Sequence, residues 1–174
     1  MNMEDLKYPI GRYVAPEAFD KETISRLIGE IERFPADLHA LVADADEAGL
    51  QNTYRPGGWT AWQVIHHVSD SHMHAFLRVK FGITEDNPTI TPYNENDWVR
   101  TNEVELVHPK DVVPFIQGLH KKFAALLRTL SPEQLQRTYY HPEHKQTFPL
   151  VHVVGMYAWH GRHHLEHIRV ALRS

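Results

Sequence analysis

Four segments of this chain repeat apolar residues at steps of three and four, and this spacing constrains the fold more than any other feature. It places apolar side chains along one face of an α-helix. The first helix begins near Phe19, and Pro35 either kinks it or opens a new first turn. The others are predicted over residues 60–82, 110–130 and 150–172. No cluster of alternating residues predicts a sheet, so we predict an all-α four-helix bundle.

The connections between these helices differ in length. We expect an irregular arm over residues 1–17, a long loop with one helical turn near Trp98 over 85–98, and another loop over 138–149. Ser131-Pro132-Glu133-Gln134 predicts a short extra helix. Because the middle connection is the longest, it permits a long crossover rather than a simple up-down-up-down order. No repeat or linker divides the chain, so residues 1–174 are predicted to form one domain.

Composition excludes several classes of function. The chain has 174 residues, a net charge of -4 and no cysteine, so disulfides, thiolate metal ligands and a cysteine nucleophile are excluded. No basic stripe predicts nucleic-acid binding, and no polybasic run or long apolar stretch predicts membrane binding. The first residues lack the pattern of a signal peptide, so we expect a cytoplasmic protein.

Histidine is the residue type that points to chemistry. Fourteen are present, with dense clusters over 66–74 and 160–167. On the last helix the apolar stripe continues to His160 and His164, and an i,i+4 histidine pair on one face can chelate one metal ion. His163 and His167 have the same spacing on a face about 60–100° away. Spacing favours the first pair but leaves the second open.

A third ligand is predicted on the second helix. His67 lies at the edge of the apolar stripe, next to Val68 and one turn from Val64, whereas His66 lies about 100° further round. We therefore choose His67, although a lone inward histidine is commonly a hydrogen-bonded core residue. The remaining histidines are expected to serve packing or to lie at the surface: His39, His72, His74, His108, His120 and His152. His141 and His144 are expected on a loop, facing solvent or, in the alternative, the site.

Three neutral imidazoles leave a divalent ion its full charge and one open position, at which water or a thiol becomes a nucleophile near neutral pH. Zinc fits these ligands best and nickel is the second choice, with one ion per chain. Groups that could orient the imidazoles are Asp70, Glu166 and His163; in the alternative, the two acids are solvated and pair with Arg78 or Arg162. Candidates to contact a small-molecule substrate are Arg162, Tyr93, Trp98 and Tyr140. The sequence identifies no general base.

Four runs of residues, taken together, resemble the YfiT group of the DinB-like superfamily. They are YPIGRY at 8–13, TYRPGGWTAWQVIHHVSDSHMHAFLRVK at 53–80, TLSPEQLQRTYYHPEHKQTF at 129–148 and GMYAWHGRHHLEHI at 155–168. The resemblance covers nearly the whole chain. It implies a DinB-like four-helix bundle that holds one metal ion and often forms a homodimer.

The resemblance also implies a ligand set and a choice of function. The family's histidine of the second helix falls on His67, and its HxxxH pair falls on His160 and His164, whereas Gly161-Arg162 departs from the expected pattern. The implied function is a metal-dependent hydrolase that activates water. One alternative is a thiol S-transferase using a low-molecular-weight thiol such as bacillithiol or mycothiol. Others are a non-catalytic metal-binding stress-response module and a metal-free helical interaction domain.

Overall fold

A computed structural model describes residues 2–174, and four long helices dominate it. The long helices are α2 (Lys21–Val42), α4 (Ala61–Thr84), α7 (Pro109–Thr129) and α9 (Leu150–Leu172). Short helices are α1 (Met3–Lys7), α3 (Glu47–Leu50), α5 (Glu95–Trp98), α6 (Asn102–Leu106) and α8 (Pro132–Leu135). Strands β1 (Thr138–His141) and β2 (Gln146–Pro149) form one antiparallel hairpin. The predicted all-α four-helix bundle is confirmed.

Side-chain caps explain where several helices begin. Asp20 accepts a hydrogen bond from the Thr23 amide at the start of α2. Thr60 and Gln63 form a capping box at the start of α4, as their spacing predicted. A second capping box, with Ser131 at the cap position, begins α8 and confirms the predicted short helix.

The first two long helices, α2 and α4, lie on one diagonal of the bundle, and the last two, α7 and α9, lie on the other. α2 packs against α7 and α9, and α4 packs against the same two helices. α4 and α7 run parallel, because His66 meets Val107 just before α7 begins and Phe76 meets Phe123 further along both helices. Residues 85–108 therefore carry the chain back along α4, which is the predicted long crossover.

Two segments differ from the sequence-based expectation. Residues 138–149 form a hairpin instead of a loop, because aromatic and β-branched residues such as Tyr139 and Phe148 favour strands. Lys145, at φ 51°, makes the turn. The N-terminal arm contains α1, which is stabilised by a capping box between Asn2 and Asp5.

The bundle interior consists of two apolar clusters separated by a polar layer. One cluster takes the N-terminal halves of α2 and α9 and the C-terminal halves of α4 and α7, and the other takes the opposite halves. Buried histidines of α4, α7 and α9 lie between the two clusters along each helix. Within residues 2–174, no helix combines the length and apolar character needed to cross a membrane.

Candidate metal centre

Three histidines from two antiparallel helices converge in this layer. His67 of α4 faces His160 and His164, which lie one turn apart on α9, and one ligand nitrogen from each lies within 4.8 Å of the other two. The ring centroids of His160 and His164 are 4.4 Å apart. His66, the neighbour of His67, points elsewhere and places its Nε2 3.0 Å from the Val107 carbonyl.

These donors fit a divalent cation. Burial lowers the pKa of His67 to about 4 and holds the pKa of both His160 and His164 well below the usual value, so all three rings are neutral at pH 7. Nδ1 of His67 is buried without a hydrogen-bond partner. Neutral imidazoles with unshared lone pairs are a donor set that zinc takes in proteins.

The competing pair, His163 and His167, lies beside this centre. Together with His164 it also brings three nitrogens within 4.8 Å of one another. However, Nε2 of His167 lies 3.3 Å from the Lys7 carbonyl and its Nδ1 lies 3.3 Å from Nδ1 of His164, so both of its nitrogens are engaged. His163 stacks on Trp159 at 4.5 Å. Nδ1 of His163 is buried without a hydrogen-bond partner, but His167 has no free nitrogen, so the geometry favours His160 and His164, each of which keeps one nitrogen free.

Two further histidines connect the centre to α2. Nδ1 of His160 lies 3.0 Å from Nε2 of His72, and Nδ1 of His72 lies 2.8 Å from Nε2 of His120. Nδ1 of His120 donates to the Ile31 carbonyl at 2.6 Å. His72 and His120 are both 0% exposed. The expectation that they serve only packing or the surface is corrected, since both belong to a hydrogen-bonded chain that ends on a candidate ligand.

A cavity of about 1090 Å³ opens beside the three histidines. Its wall includes Ser71, Arg78, Tyr93, Tyr139 and Tyr157. Burial raises the pKa of Tyr139 to about 12 and that of Tyr93 above its usual range, so both hydroxyls stay protonated and can donate hydrogen bonds.

Two arginines of this wall, Arg55 and Arg78, carry charges that no carboxylate within residues 2–174 pairs with in an ion pair. In both side chains the Nε is buried without a hydrogen-bond partner. Arg78 donates only a long hydrogen bond of 3.4 Å, to the Tyr157 hydroxyl. Unpaired arginines on a cavity wall favour anionic ligands.

Of the four residues predicted to contact a substrate, only Tyr93 lies in the cavity wall. Tyr93 lines the cavity, and Trp98 packs behind it with ring centroids 4.5 Å apart. Arg162 lies on the exposed side of α9, 2.7 Å from Glu30, and is not part of the cavity wall. Tyr140 is also outside the wall, because successive side chains of strand β1 point to opposite faces and Tyr139 is the one that lines the cavity.

The acids predicted to orient the ligands lie elsewhere. Glu166 pairs with Arg169 at 3.0 Å, and this i,i+3 spacing on one helix gives it a closer partner than any ligand. Asp70 has its pKa raised to about 6 by burial and by Glu103. Across residues 2–174, neither acid hydrogen-bonds to a histidine, so histidines take the place that carboxylates were expected to fill.

Gly161 lies where two helices approach each other closely. A Cβ at this position would lie 2.9 Å from Cδ2 of Phe34 on α2. Phe34 cannot move aside easily, because its ring stacks on both His72 and His120 at centroid distances of 5.1 and 5.2 Å.

Replacement of Gly161 by alanine is expected to destabilise the protein by about 1–3 kcal/mol, since overpacking at Phe34 outweighs the gain in helix propensity. The control is Gly29→Ala, where the new Cβ meets nothing within 4 Å, and which is expected to stabilise by about 1 kcal/mol. Urea unfolding of both variants measures the difference. Equal stabilisation by the two substitutions would contradict the close packing of Gly161 against Phe34.

Comparison with known proteins gives consistent similarities. The family model of the DinB superfamily matches residues 30–168. Relatives from Bacillus mycoides and Bacillus cereus, provisionally named metal-dependent hydrolases, are 44% identical over 167 residues, which cover 95% of each chain.

Two solved structures share the fold. YfiT from Bacillus subtilis, described as a probable metal-dependent hydrolase with an unusual four-helix bundle topology, superposes with a TM-score of 0.93 at 39% identity, covering 97% of both chains. A mycothiol-dependent maleylpyruvate isomerase superposes with a TM-score of 0.66 at 13% identity, covering 83% of this chain and 60% of that one. At this identity the second likeness concerns the fold alone.

Proposed function

The chain belongs to the DinB superfamily, and from its histidine cluster we propose that it is a metal-dependent hydrolase of small molecules. The predicted resemblance to the YfiT group is confirmed. The observation that carries the proposal is the convergence of three neutral histidines, His67 and His164 buried and His160 partly buried, on one side of a cavity large enough for a substrate.

His67, His160 and His164 would hold one divalent ion, zinc in the first place and nickel in the second. Such an ion supplies the positive charge that makes water a nucleophile near neutral pH. Residues of the chain would bind and polarise the substrate. The protonated hydroxyls of Tyr93 and Tyr139 can donate to a substrate oxygen as negative charge develops on it.

The cavity also suggests a class of substrate. Arg78 lies two turns from Ser71 on the same face of α4, and its guanidinium has no acidic partner that would have to be displaced. Arg55 offers a second unpaired charge on the wall. We infer that the preferred electrophile carries an anionic group, held by an arginine while its reacting carbon faces the histidines.

The test uses two nitrophenyl esters of matched length, one neutral and one ending in a carboxylate. We expect the zinc-loaded protein to hydrolyse both without any thiol, and the carboxylated ester faster. Treatment with a chelator should remove the activity, and zinc should restore it. Turnover that survives chelation would contradict the proposal.

Thiol transfer is the second candidate, and the cavity volume favours it. At about 1090 Å³ the cavity lies at the upper end of the usual range of small-ligand sites, roughly 300–1,000 Å³, so it has room for a thiol together with an electrophile. Addition of low-molecular-weight thiols to the ester assay separates the two candidates, because turnover that depends on a thiol supports transfer. The homodimer and the cytoplasmic location stay predictions.

A further inference from the structure

The hydrogen-bonded chain that links His160 to His72 and His120 depends on a proline in α2, Pro35. In an α-helix the amide of residue 35 would donate to the carbonyl of residue 31, but Pro35 has no N–H. The Ile31 carbonyl is therefore left without its usual helical partner, and His120 of α7 donates to it at 2.6 Å. His72 and then His160 follow at 2.8 and 3.0 Å.

The direction of every hydrogen bond in this chain follows from that carbonyl. A carbonyl only accepts, so Nδ1 of His120 carries the proton there, and Nε2 of a neutral His120 is an acceptor. His72 must then donate from Nδ1 and accept at Nε2, which obliges His160 to donate from Nδ1. Each of the three rings therefore carries its proton on Nδ1 and donates it in one of the three hydrogen bonds. Since Nδ1 of His160 is taken by His72, Nε2 is the nitrogen whose lone pair is left for an ion shared with His67 and His164.

A second, shorter chain leads to the same result for the other ligand of α9. Nε2 of His167 can only donate to the Lys7 carbonyl, which it approaches at 3.3 Å. Its Nδ1 is then an acceptor, and Nδ1 of His164, also at 3.3 Å, is the donor. Nε2 of His164 is again the nitrogen that keeps its lone pair.

We propose that His72, His120 and His167 are positioning residues that hold His160 and His164 as Nδ1–H tautomers, so that both present an unprotonated Nε2 before any metal ion binds. Both chains end on backbone carbonyls, which cannot take up a proton, so they orient the rings and do not conduct protons. Because the acceptors are neutral, they leave the ion's charge undiminished, as a carboxylate would not. The role as metal ligands rests on the proposed function.

The tautomers are measured in the metal-free protein by NMR of histidines labelled with ¹⁵N in the rings. We expect His160 and His164 to be Nδ1–H tautomers, the opposite of the preference of free histidine in water. His120→Phe keeps the ring that stacks on Phe34 but removes both hydrogen bonds, and it is expected to shift His160 towards the Nε2–H form. His120→Gln restores a donor and an acceptor and should recover the wild-type signal.

Zinc affinity provides the second readout. We expect His120→Phe to weaken zinc binding about 10–100-fold, with recovery in His120→Gln. The matched control is Phe34→Leu, which loosens packing beside His72 and His120 but removes no hydrogen bond, and which should change the affinity less than about threefold.

Nε2–H tautomers at His160 and His164 in the wild-type protein would overturn the proposal, and this measurement requires no variant to fold. Equal zinc affinity in His120→Phe and wild type would overturn it as well. Because the tautomers are read without metal, a wild-type protein that fails to bind zinc would refute the proposed function and leave the positioning role to be decided by NMR.

Discussion

The double variant His160→Ala, His164→Ala is expected to lose its metal and its activity together. A catalytic zinc site needs three protein ligands, and this variant keeps only His67. We expect the zinc content to fall from about one ion per chain to near zero, and ester hydrolysis to fall to the rate without protein. Elemental analysis of the purified protein and the ester assay measure the two effects.

His39→Ala serves as the control, because His39 is exposed on α2 and remote in sequence from both clusters. It should retain both zinc and activity. Circular dichroism must show that the double variant is folded. A folded double variant that still hydrolyses the esters would contradict a metal-dependent mechanism, and one that still binds a full equivalent of zinc would contradict the proposed ligands.

Acidification is expected to unfold the metal-free protein at about pH 5. Eleven histidines have pKa values that burial lowers below the unfolded value of 6.5. When the pH falls below 6.5, the unfolded chain takes up protons that the folded protein refuses. The free energy of unfolding therefore falls with pH over this range, by up to about 1.4 kcal/mol per pH unit for each fully buried ring.

The pH range over which stability is lost depends on the folded-state pKa of each histidine ring. For His120, whose pKa burial lowers to about 4, the loss begins near pH 6.5 and is complete near pH 4, and nothing changes above pH 6.5. Urea unfolding at stepped pH values measures the slope, and His120→Phe should reduce it by about one proton. Bound zinc should shift the transition to lower pH, since it stabilises the folded state only. A free energy of unfolding that is equal at pH 7 and pH 5 would contradict the burial of these rings.

The fold could be predicted because its signals are local. Apolar spacing located all four long helices, and Thr60 with Gln63 marked the start of α4 to within a residue. The hairpin at 138–149 was missed because its strands are only four residues long, too short for alternation to stand out. Its stability comes from packing on neighbouring elements, which a single strand does not reveal.

The site could be predicted only in part. Helical phase favoured His160 and His164, but it could not show that His167 is engaged with the Lys7 carbonyl, a contact 160 residues away in sequence. The same phase contained a signal for the missed histidines. His72 continues the steps from Val68, and His120 those from Ile116, so both rings belong to the buried face.

Carboxylates were expected near the ligands because sequence proximity suggested Asp70 and Glu166. The actual partners come from helices that meet only in the folded bundle. His120 of α7 and Ile31 of α2 complete a chain that begins on α9, and no local pattern encodes such a path. The ion pair between Arg162 and Glu30 could not be predicted from the sequence for the same reason, since 132 residues separate the two.

Pro35 lowers the stability of helix α2 but keeps the Ile31 carbonyl free for the hydrogen bond from His120. An interior proline costs a helix about 3 kcal/mol, so alanine at this position would improve α2 by propensity alone. The same change would return an N–H to the Ile31 carbonyl and bring a competitor for the bond that His120 makes there. Engineering this bundle for thermal tolerance would therefore find a gain at position 35 whose cost falls on His160, a proposed metal ligand at the far end of the histidine chain, and stability screening alone would not detect this trade-off.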